Sequence, residues 1–367
     1  MRGLLYFDSG FTHNQKAMPH PRVTVLIDTY NYGHFIEEAI GSTLGQDFPA
    51  EQMEVLIVDD GSTDDTSSRV TKYGSRVQYF LKQNGGQGSA VNFGVEKARG
   101  EFIVLLDADD YWLPEKVRRV IEAFEANPQA GMVHHRMREL DARTGKLRDG
   151  LFMPMSGNLA ATTETILTFH PTSMSSLAFR KSILERVLPI PEEIRIQADG
   201  YIQALALFLA PVAAIDEPLG VYRFHGSNLY YLSEASEDKN KDMERRNRRV
   251  VTLGALVDGL TQWFRSHGYD LAQPTVRATL SRWKTILERE EFAVTSPGRI
   301  RFFRHLFESN RNHFGLMTRR LRLINYLNMM GSLVVGYEHF HWLDEWRETL
   351  TRRKHRRSDG GSASPSP

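Results

Sequence analysis

The chain has 367 residues, enough for a catalytic domain with a smaller appendage, and its apolar fraction of 41% and charged fraction of 25% are those of an ordinary globular protein. It contains no cysteine, which excludes a disulfide scaffold, a thiolate zinc site and a cysteine nucleophile, and fits a reducing compartment. A formal net charge of +1 hides an uneven distribution: seven arginines face the single acid Glu308 between Arg299 and Arg322, and six Lys or Arg face Glu348 between Arg347 and Arg357.

Residues 1–22 read as an irregular lead-in and lack the apolar core of a secretory signal. No later run is long and apolar enough to read as a membrane span. Val23–Ile27 is the first expected strand, and Phe35, Ile36, Ala39, Ile40 and Leu44 recur at helical spacing after it. Val55–Val58 is the second strand. It ends in Asp59-Asp60-Gly61-Ser62-Thr63-Asp64-Asp65, where Ser62 and Asp65 have the spacing of a capping box for a helix over residues 63–73. Val77–Leu81 is the third strand and leads into Asn84-Gly-Gly-Gln-Gly88 and a helix with Ala90, Phe93, Gly94 and Ala98 on one side. That turn is neither Gly-x-Gly-x-x-Gly nor a P-loop with its lysine. A simple tight turn and a phosphate contact both fit it; its place between two candidate nucleotide-binding strand ends favours the second.

Phe102–Leu106 is wholly apolar, as expected of a strand buried on both faces, and it runs straight into Asp107, Asp109 and Asp110. Three desolvated acids repel one another unless a cation or several donors compensate, and Mg²⁺ or Mn²⁺ suits oxygen ligands that share a substrate's phosphates. Pro114 starts the next helix, which leaves Asp107 and Asp109 without a capping task. That helix ends before Pro128, and Met132–His135 is a further strand. The β-α alternation over residues 23–135 predicts an α/β three-layer sandwich with a mostly parallel sheet.

Residues 136–170 read as a loop-rich connection, and 172–180 as a strand leading into a helix over 181–187. Asp199 stands before the apolar helix 201–209, where an N-cap is expected; capping and catalysis are both open there. Val212–Ile215 and Leu219–Phe224 read as two short strands around Pro218, and the following His225 fits either a surface turn or a neutral nitrogen ligand. Residues 233–249 are charged enough for a solvated helix or a linker. Two amphipathic helices follow over 250–290, joined near 268–274, and an arginine-rich helical stretch reaches 350 before a basic, flexible tail over 351–367.

In order, Thr29-Tyr-Asn31, Val58-Asp-Asp-Gly-Ser-Thr-Asp64, Asn84 with its glycines, Ala90-Val-Asn92, Gly94, Ala98-Arg-Gly100 and Leu106-Asp-Ala-Asp-Asp110 resemble the family 2 glycosyltransferases, inverting enzymes of GT-A fold. The likeness covers about residues 23–125, with looser matches at Ala198-Asp199 and at Tyr222-Arg-Phe-His225 followed by Gly-Ser-Asn228. It implies a catalytic domain over 23–232 with a C-terminal helical region over 233–350. It places Thr29, Tyr30, Asn31, Asp60, Asn84, Gly85, Gly88, Asp107 and Ala108 about the nucleotide, with Tyr30 near a uracil, Asp60 accepting from the base and Asp107 approaching the ribose. It gives Mn²⁺ or Mg²⁺ to Asp109, with His225 completing the contacts, and the general base to Asp199, kept ionised by the helix N-terminus. The chain departs from the family pattern at Asp28, usually proline, and at Ala198, often an acid.

The implied partners are a nucleotide-sugar donor, such as a UDP-sugar, and a sugar, glycan or lipid-linked acceptor in polysaccharide, cell-surface glycan or glycolipid synthesis. The arginines after 299, interleaved with Phe302, Phe303, Phe307 and Leu321, fit either an interfacial surface for anionic lipid or a packed helical subdomain. The first gives a cytoplasmic protein held peripherally at the inner face of a membrane. No nucleic-acid motif accompanies the charge. A non-catalytic sugar-nucleotide-binding protein is the rival reading, and behind it a nucleotidyltransferase, which lacks a basic glycine-rich triphosphate signature here.

Overall fold

The computed structural model describes residues 20–150, 154–169, 172–226, 228 and 239–294, with six isolated positions between 304 and 330. In chain order the elements are β1 (Val23–Thr29), α1 (Gly33–Leu44), β2 (Met53–Asp59), α2 (Thr66–Val70), β3 (Gln78–Leu81), α3 (Gln87–Lys97), β4 (Phe102–Asp107), β5 (Tyr111–Trp112), α4 (Lys116–Ala126), β6 (Met132–Asp141) and β7 (Lys146–Asp149). They continue with α5 (Thr163–Thr168), β8 (Leu177–Arg180), α6 (Lys181–Val187), α7 (Ala198–Leu209), β9 (Val212–Phe224), α8 (Lys239–Ser266) and α9 (Pro274–Val294).

The strands form one sheet in the order β3-β2-β1-β4-β8-β6-β9-β5, with β7 on β6. The apolar runs of β1, β2 and β4 are explained by cover on both faces. Val23, Val25 and Ile27 go to a core shared with α1 and α4, while Leu26, Leu56, Val58, Ile103 and Leu105 go to a second core with α3, α6 and α7. Each such side chain taken out of water contributes about 1.5–3 kcal/mol. β1 is parallel to both β2 and β4, and the register sets Asp28 beside Asp107 and Thr29 beside Asp59. Three apolar strands therefore deliver their terminal acids to one edge.

The three-layer α/β architecture is as expected, with a more mixed sheet. It is parallel from β3 to β4, but β8 runs antiparallel between β4 and β6. Three local expectations are corrected. Residues 136–170 are not mainly loop: β6 continues to Asp141 and turns back as β7. The two short strands around Pro218 are one strand, β9, whose pairing with β6 shifts register near His135 and Arg136 and so absorbs the proline. The capping box at Ser62 does not form. Ser62 Oγ instead accepts from Asn31 N–H, and Asp64 accepts from Gly33 N–H at 2.9 Å and Thr66 N–H at 3.0 Å, so the helix starts only at Thr66.

From Lys239 the charged segment before residue 250 is the first part of α8. Leu253, Leu256, Leu260 and Phe264 of α8 and Val276 and Trp283 of α9 join the core that holds α7. A buried ion pair, Arg249 with Glu290 at 2.7 Å, ties α8 to α9. Among the described residues no helix is long and apolar enough to cross a membrane. The expectations for the arginine-rich stretch after 299, for the tail and for residues 1–19 lie outside the described residues, apart from isolated positions.

Candidate active site

The carboxyl ends of β1, β2 and β4 open into a cavity of about 1020 Å³. Thr29, Tyr30, Asp60, Asn84, Asp107, Ala108, Asp109 and Asp199 line it together, although they come from five separate stretches of chain. Asn31, Gly85, Gly88 and His225 do not line it, and each has another place. Asn31, at φ 56°, accepts from Thr63 N–H at 2.8 Å and pins the loop after β2 to the loop after β1. Gly85 N–H donates to Asp60 at 2.9 Å. Gly88 lies under Ile190 and Ile194, where a Cβ would come within 2.7 Å of the Ile194 carbonyl oxygen. His225 stands behind Asp109.

One oxygen each of Asp107, Asp109 and Asp110 falls within 4.8 Å of the others. Asp109 Oδ2 is 3.0 Å from His225 Nε2 and 3.4 Å from Asn228 Nδ2, and the Tyr32 hydroxyl also bonds this carboxylate. Burial, and then the charge of Asp109, hold the Tyr32 phenol protonated. Asp107 Oδ1 accepts from Gln87 Nε2 at 2.9 Å. Burial pushes the Asp107 and Asp110 carboxyls well up, with Asp28 and Asp109 respectively as the next causes. Asp28, the departure at the usual proline position, is pushed to about 7 by burial and then by Asp109, against a hydrogen bond to Asp107. Asp28, Asp107 and Asp110 therefore hold their protons more firmly than a surface aspartate does. A hard divalent cation fits that donor set, since it supplies charge where oxygen ligands already converge.

Asp60 is 3% exposed and accepts from Gly85 N–H, Gly86 N–H and Lys82 Nζ at 2.9, 2.6 and 2.7 Å. The glycine turn thus closes over Asp60 on one side. On the other it seats the segment before α7: Gln87 N–H donates to the Arg195 carbonyl at 2.8 Å, and Asn92 exchanges two hydrogen bonds with Ile190.

Asp199 lies in the first turn of α7, one residue inside Ala198, and not at the cap. Its carboxylate accepts from Gly200 N–H at 2.9 Å. Burial outweighs the backbone donors and lifts it to about 6, so the carboxyl is ionised at neutral pH but less firmly than the helix end alone would make it. Gln87, Tyr32 and Asn228 are site residues that the sequence reading missed. Tyr32 and Gln87 sit beside or inside motifs already singled out, and Asn228 closes the looser match that begins at Tyr222; none of the three had been given a role.

Behind the acids, Lys116 is fully buried, donates to the Ser175 carbonyl at 2.5 Å, and lies 3.7 Å from the Trp112 ring centroid. Ser175 Oγ in turn accepts from Asp107 N–H at 3.1 Å. Lys116 thereby fixes the loop before β8 against the end of β4.

The model of glycosyl transferase family 2 matches residues 24–188. The chain is 34% identical over 258 residues to an uncharacterized glycosyltransferase of Nostoc sp. (strain PCC 7120), covering 65% of this chain and 79% of that one. It is 39% identical over 101 residues to an uncharacterized glycosyltransferase of Rickettsia typhi, covering 28% and 31% respectively. The crystal structure of S. aureus TarS superposes with a TM-score of 0.57 at 18% identity, over 87% of this chain and 54% of that one, a likeness of fold.

Proposed function

The chain belongs to glycosyl transferase family 2, and on that premise we propose that it is an inverting enzyme moving a sugar from a nucleoside-diphosphate sugar, a UDP-sugar in the first instance, to an acceptor hydroxyl. The observation that carries the proposal is the convergence of the strand-end acids on one cavity with Asp199 on another element of its wall. Thr29, Tyr30, Asp60 and Asn84 line the part assigned to the nucleotide. Asp107 and Asp109, with His225 behind, would hold Mn²⁺ or Mg²⁺. When bound, that cation supplies charge neutralisation to a diphosphate leaving group.

The acceptor oxygen bonds the anomeric carbon from the face opposite the diphosphate, and the bond to the diphosphate oxygen breaks with its electron pair leaving on that oxygen. The acceptor's proton goes to Asp199. A base lifted to about 6 is ionised at neutral pH and takes a proton more readily than an ordinary surface aspartate. Membrane attachment through the arginines after 299 belongs to the same proposal, and flotation with anionic vesicles at low and high salt tests it.

The test of the function is a donor-hydrolysis screen over sugar nucleotides with Mn²⁺, Mg²⁺ and a chelator. Release of UDP that needs a divalent cation supports the proposal. Binding of nucleotide with no turnover toward any acceptor would favour a non-catalytic binding protein, and pyrophosphate release from a triphosphate would favour a nucleotidyltransferase.

A further inference from the structure

We infer that Trp283 of α9, outside the stretch matched by the family model, is a positioning residue that holds the turn carrying Asp199; the inference rests on the transferase reading above.

The backbone ahead of Asp199 needs holding. Gln197, two residues earlier, has φ 64° and ψ 35°, the left-handed region that a residue with a Cβ seldom adopts. Such a conformation persists only where its surroundings over-determine it. Gln197 nevertheless opens α7. Its carbonyl accepts from Gly200 N–H at 3.1 Å, and the same N–H is shared with the Asp199 carboxylate at 2.9 Å. One amide therefore ties the strained residue to the direction of the carboxylate.

Two side chains grip this turn. Gln87 Oε1 takes the Ala198 N–H at 3.1 Å. Trp283 takes Gly200: a Cβ there would stand 2.7 Å from the indole Cη2 and 3.2 Å from Cζ2, so the ring edge lies where any other residue's side chain would begin. The ring is itself fixed. Arg282, the residue before it, donates to the Ile166 carbonyl at 2.9 Å and to the Phe169 carbonyl, both at the end of α5. Trp283 lines the cavity but is only 5% exposed, so the indole is committed to packing and presents little surface to a ligand. What it supplies is a rigid backstop for Gly200, and through that amide for Asp199. The effect is carried by contact and asks nothing of the strand-end acids.

The experiment measures donor hydrolysis by the full chain over a panel of UDP- and GDP-sugars with Mn²⁺, water serving as the acceptor. Water needs no wall to rest on, so a change in hydrolytic kcat reports the base and not a lost acceptor contact. Trp283→Leu is expected to lower that kcat by about 10–30-fold and to change donor KM by less than about twofold. Trp283→Phe, which keeps a ring but withdraws its far edge, is expected to lose about threefold and serves where the leucine variant does not fold. Gln197→Gly added to either variant is expected to restore kcat by at least about twofold, because glycine holds the left-handed backbone without the indole's support. A loss of packing alone would not be answered at residue 197. The inference is overturned if both variants keep the parental kcat, if the loss falls on donor KM, if Gln197→Gly restores melting temperature but not kcat, or if neither variant folds. A parent protein that hydrolyses no sugar nucleotide brings down the transferase reading and this inference with it; a parent that hydrolyses donor while its variants match it brings down this inference alone.

Discussion

Gln87 and Asp107 are joined by a 2.9 Å hydrogen bond from the glutamine Nε2 to the carboxylate Oδ1, while the glutamine's own Oε1 accepts from Ala198 N–H at 3.1 Å. The bond from Ala198 fixes which way the amide points, because a backbone N–H can only donate and so takes Oε1, leaving Nε2 to Asp107. One neutral side chain thus spans from the end of β4 to the first turn of α7. It places the acid proposed to meet the donor at a set distance from the acid proposed to receive the proton.

Gln87→Met keeps the length and removes both bonds. The spacing of Asp107 and Asp199 is then no longer held, so kcat should fall by about 10–100-fold while nucleotide affinity changes by less than about threefold, the split expected when alignment and not binding is lost. Hydrogen exchange at the amides of residues 198–200 should accelerate in the variant. Unaltered kcat together with unaltered exchange would show that the bridge is incidental.

Asp199→Asn should abolish transfer and leave UDP binding nearly intact. It should also stabilise the protein at high pH. The native carboxyl is raised from 3.8 to about 6, so its ionised form opposes folding above that pH, by up to about 3 kcal/mol, and below the unfolded value the penalty vanishes. The gain in thermal midpoint of the variant should therefore appear between pH 4 and 7 as pH rises. In the parent enzyme the ionised base is the active form, so kcat/KM should fall about tenfold per unit below pH 6. An acid limb that stays put in a variant still active at position 199 would remove the assignment of the base.

The alternation of apolar runs and polar turns made the first half of the sheet legible, since burial on both faces leaves an uninterrupted signal in β1, β2 and β4. The same pattern placed their terminal acids at one edge. Other features were not legible because they depend on partners distant in sequence. β6 beyond His135 reads as loop because its residues are partly exposed and mostly polar; only pairing with β7 and β9 makes it strand. Ser62 and Asp65 have capping-box spacing, but Asn31 takes the serine first. The raised basicity of Asp199 was not legible for a related reason: its position at a helix end is local, whereas its desolvation comes from the walls around it. Gln87 lay within the glycine turn, and nothing in the turn itself distinguishes a glutamine that spans two elements from one facing water.

Asp109→Ala removes the carboxylate on which Tyr32, His225 and Asn228 converge. If a divalent cation is held there, chelation of the parent should lower UDP affinity by at least about tenfold, and the variant should show that loss without chelator and no further response to Mn²⁺. Titration calorimetry with and without Mn²⁺ measures both. A parent whose UDP affinity ignores chelation would remove the cation from this reading of the strand-end acids.

Gly86→Ala tests whether the glycine turn acts through the segment it carries. Gly86 has φ 88°, and a Cβ there would lie 2.6 Å from Arg195 Cα, in backbone that cannot swing aside as a side chain would. At φ 88° and ψ 172° the backbone lies in a region open essentially to glycine, and that alone costs alanine about 1–3 kcal/mol. The collision adds to this by pushing residues 194–197 off the turn, which breaks the bond from Gln87 N–H to the Arg195 carbonyl and shifts Ala198 from Gln87 Oε1. The variant should lose thermal stability and, in addition, lose kcat. Gly145→Ala provides the comparison, because Gly145 has φ 69° in the β6–β7 turn and its added Cβ would meet nothing within 4 Å. It should show the backbone strain alone, with a smaller drop in melting temperature and parental kcat. Equal losses of stability in the two variants, with activity intact in both, would mean that the turn is only a turn and that the placement of Asp199 is secured elsewhere.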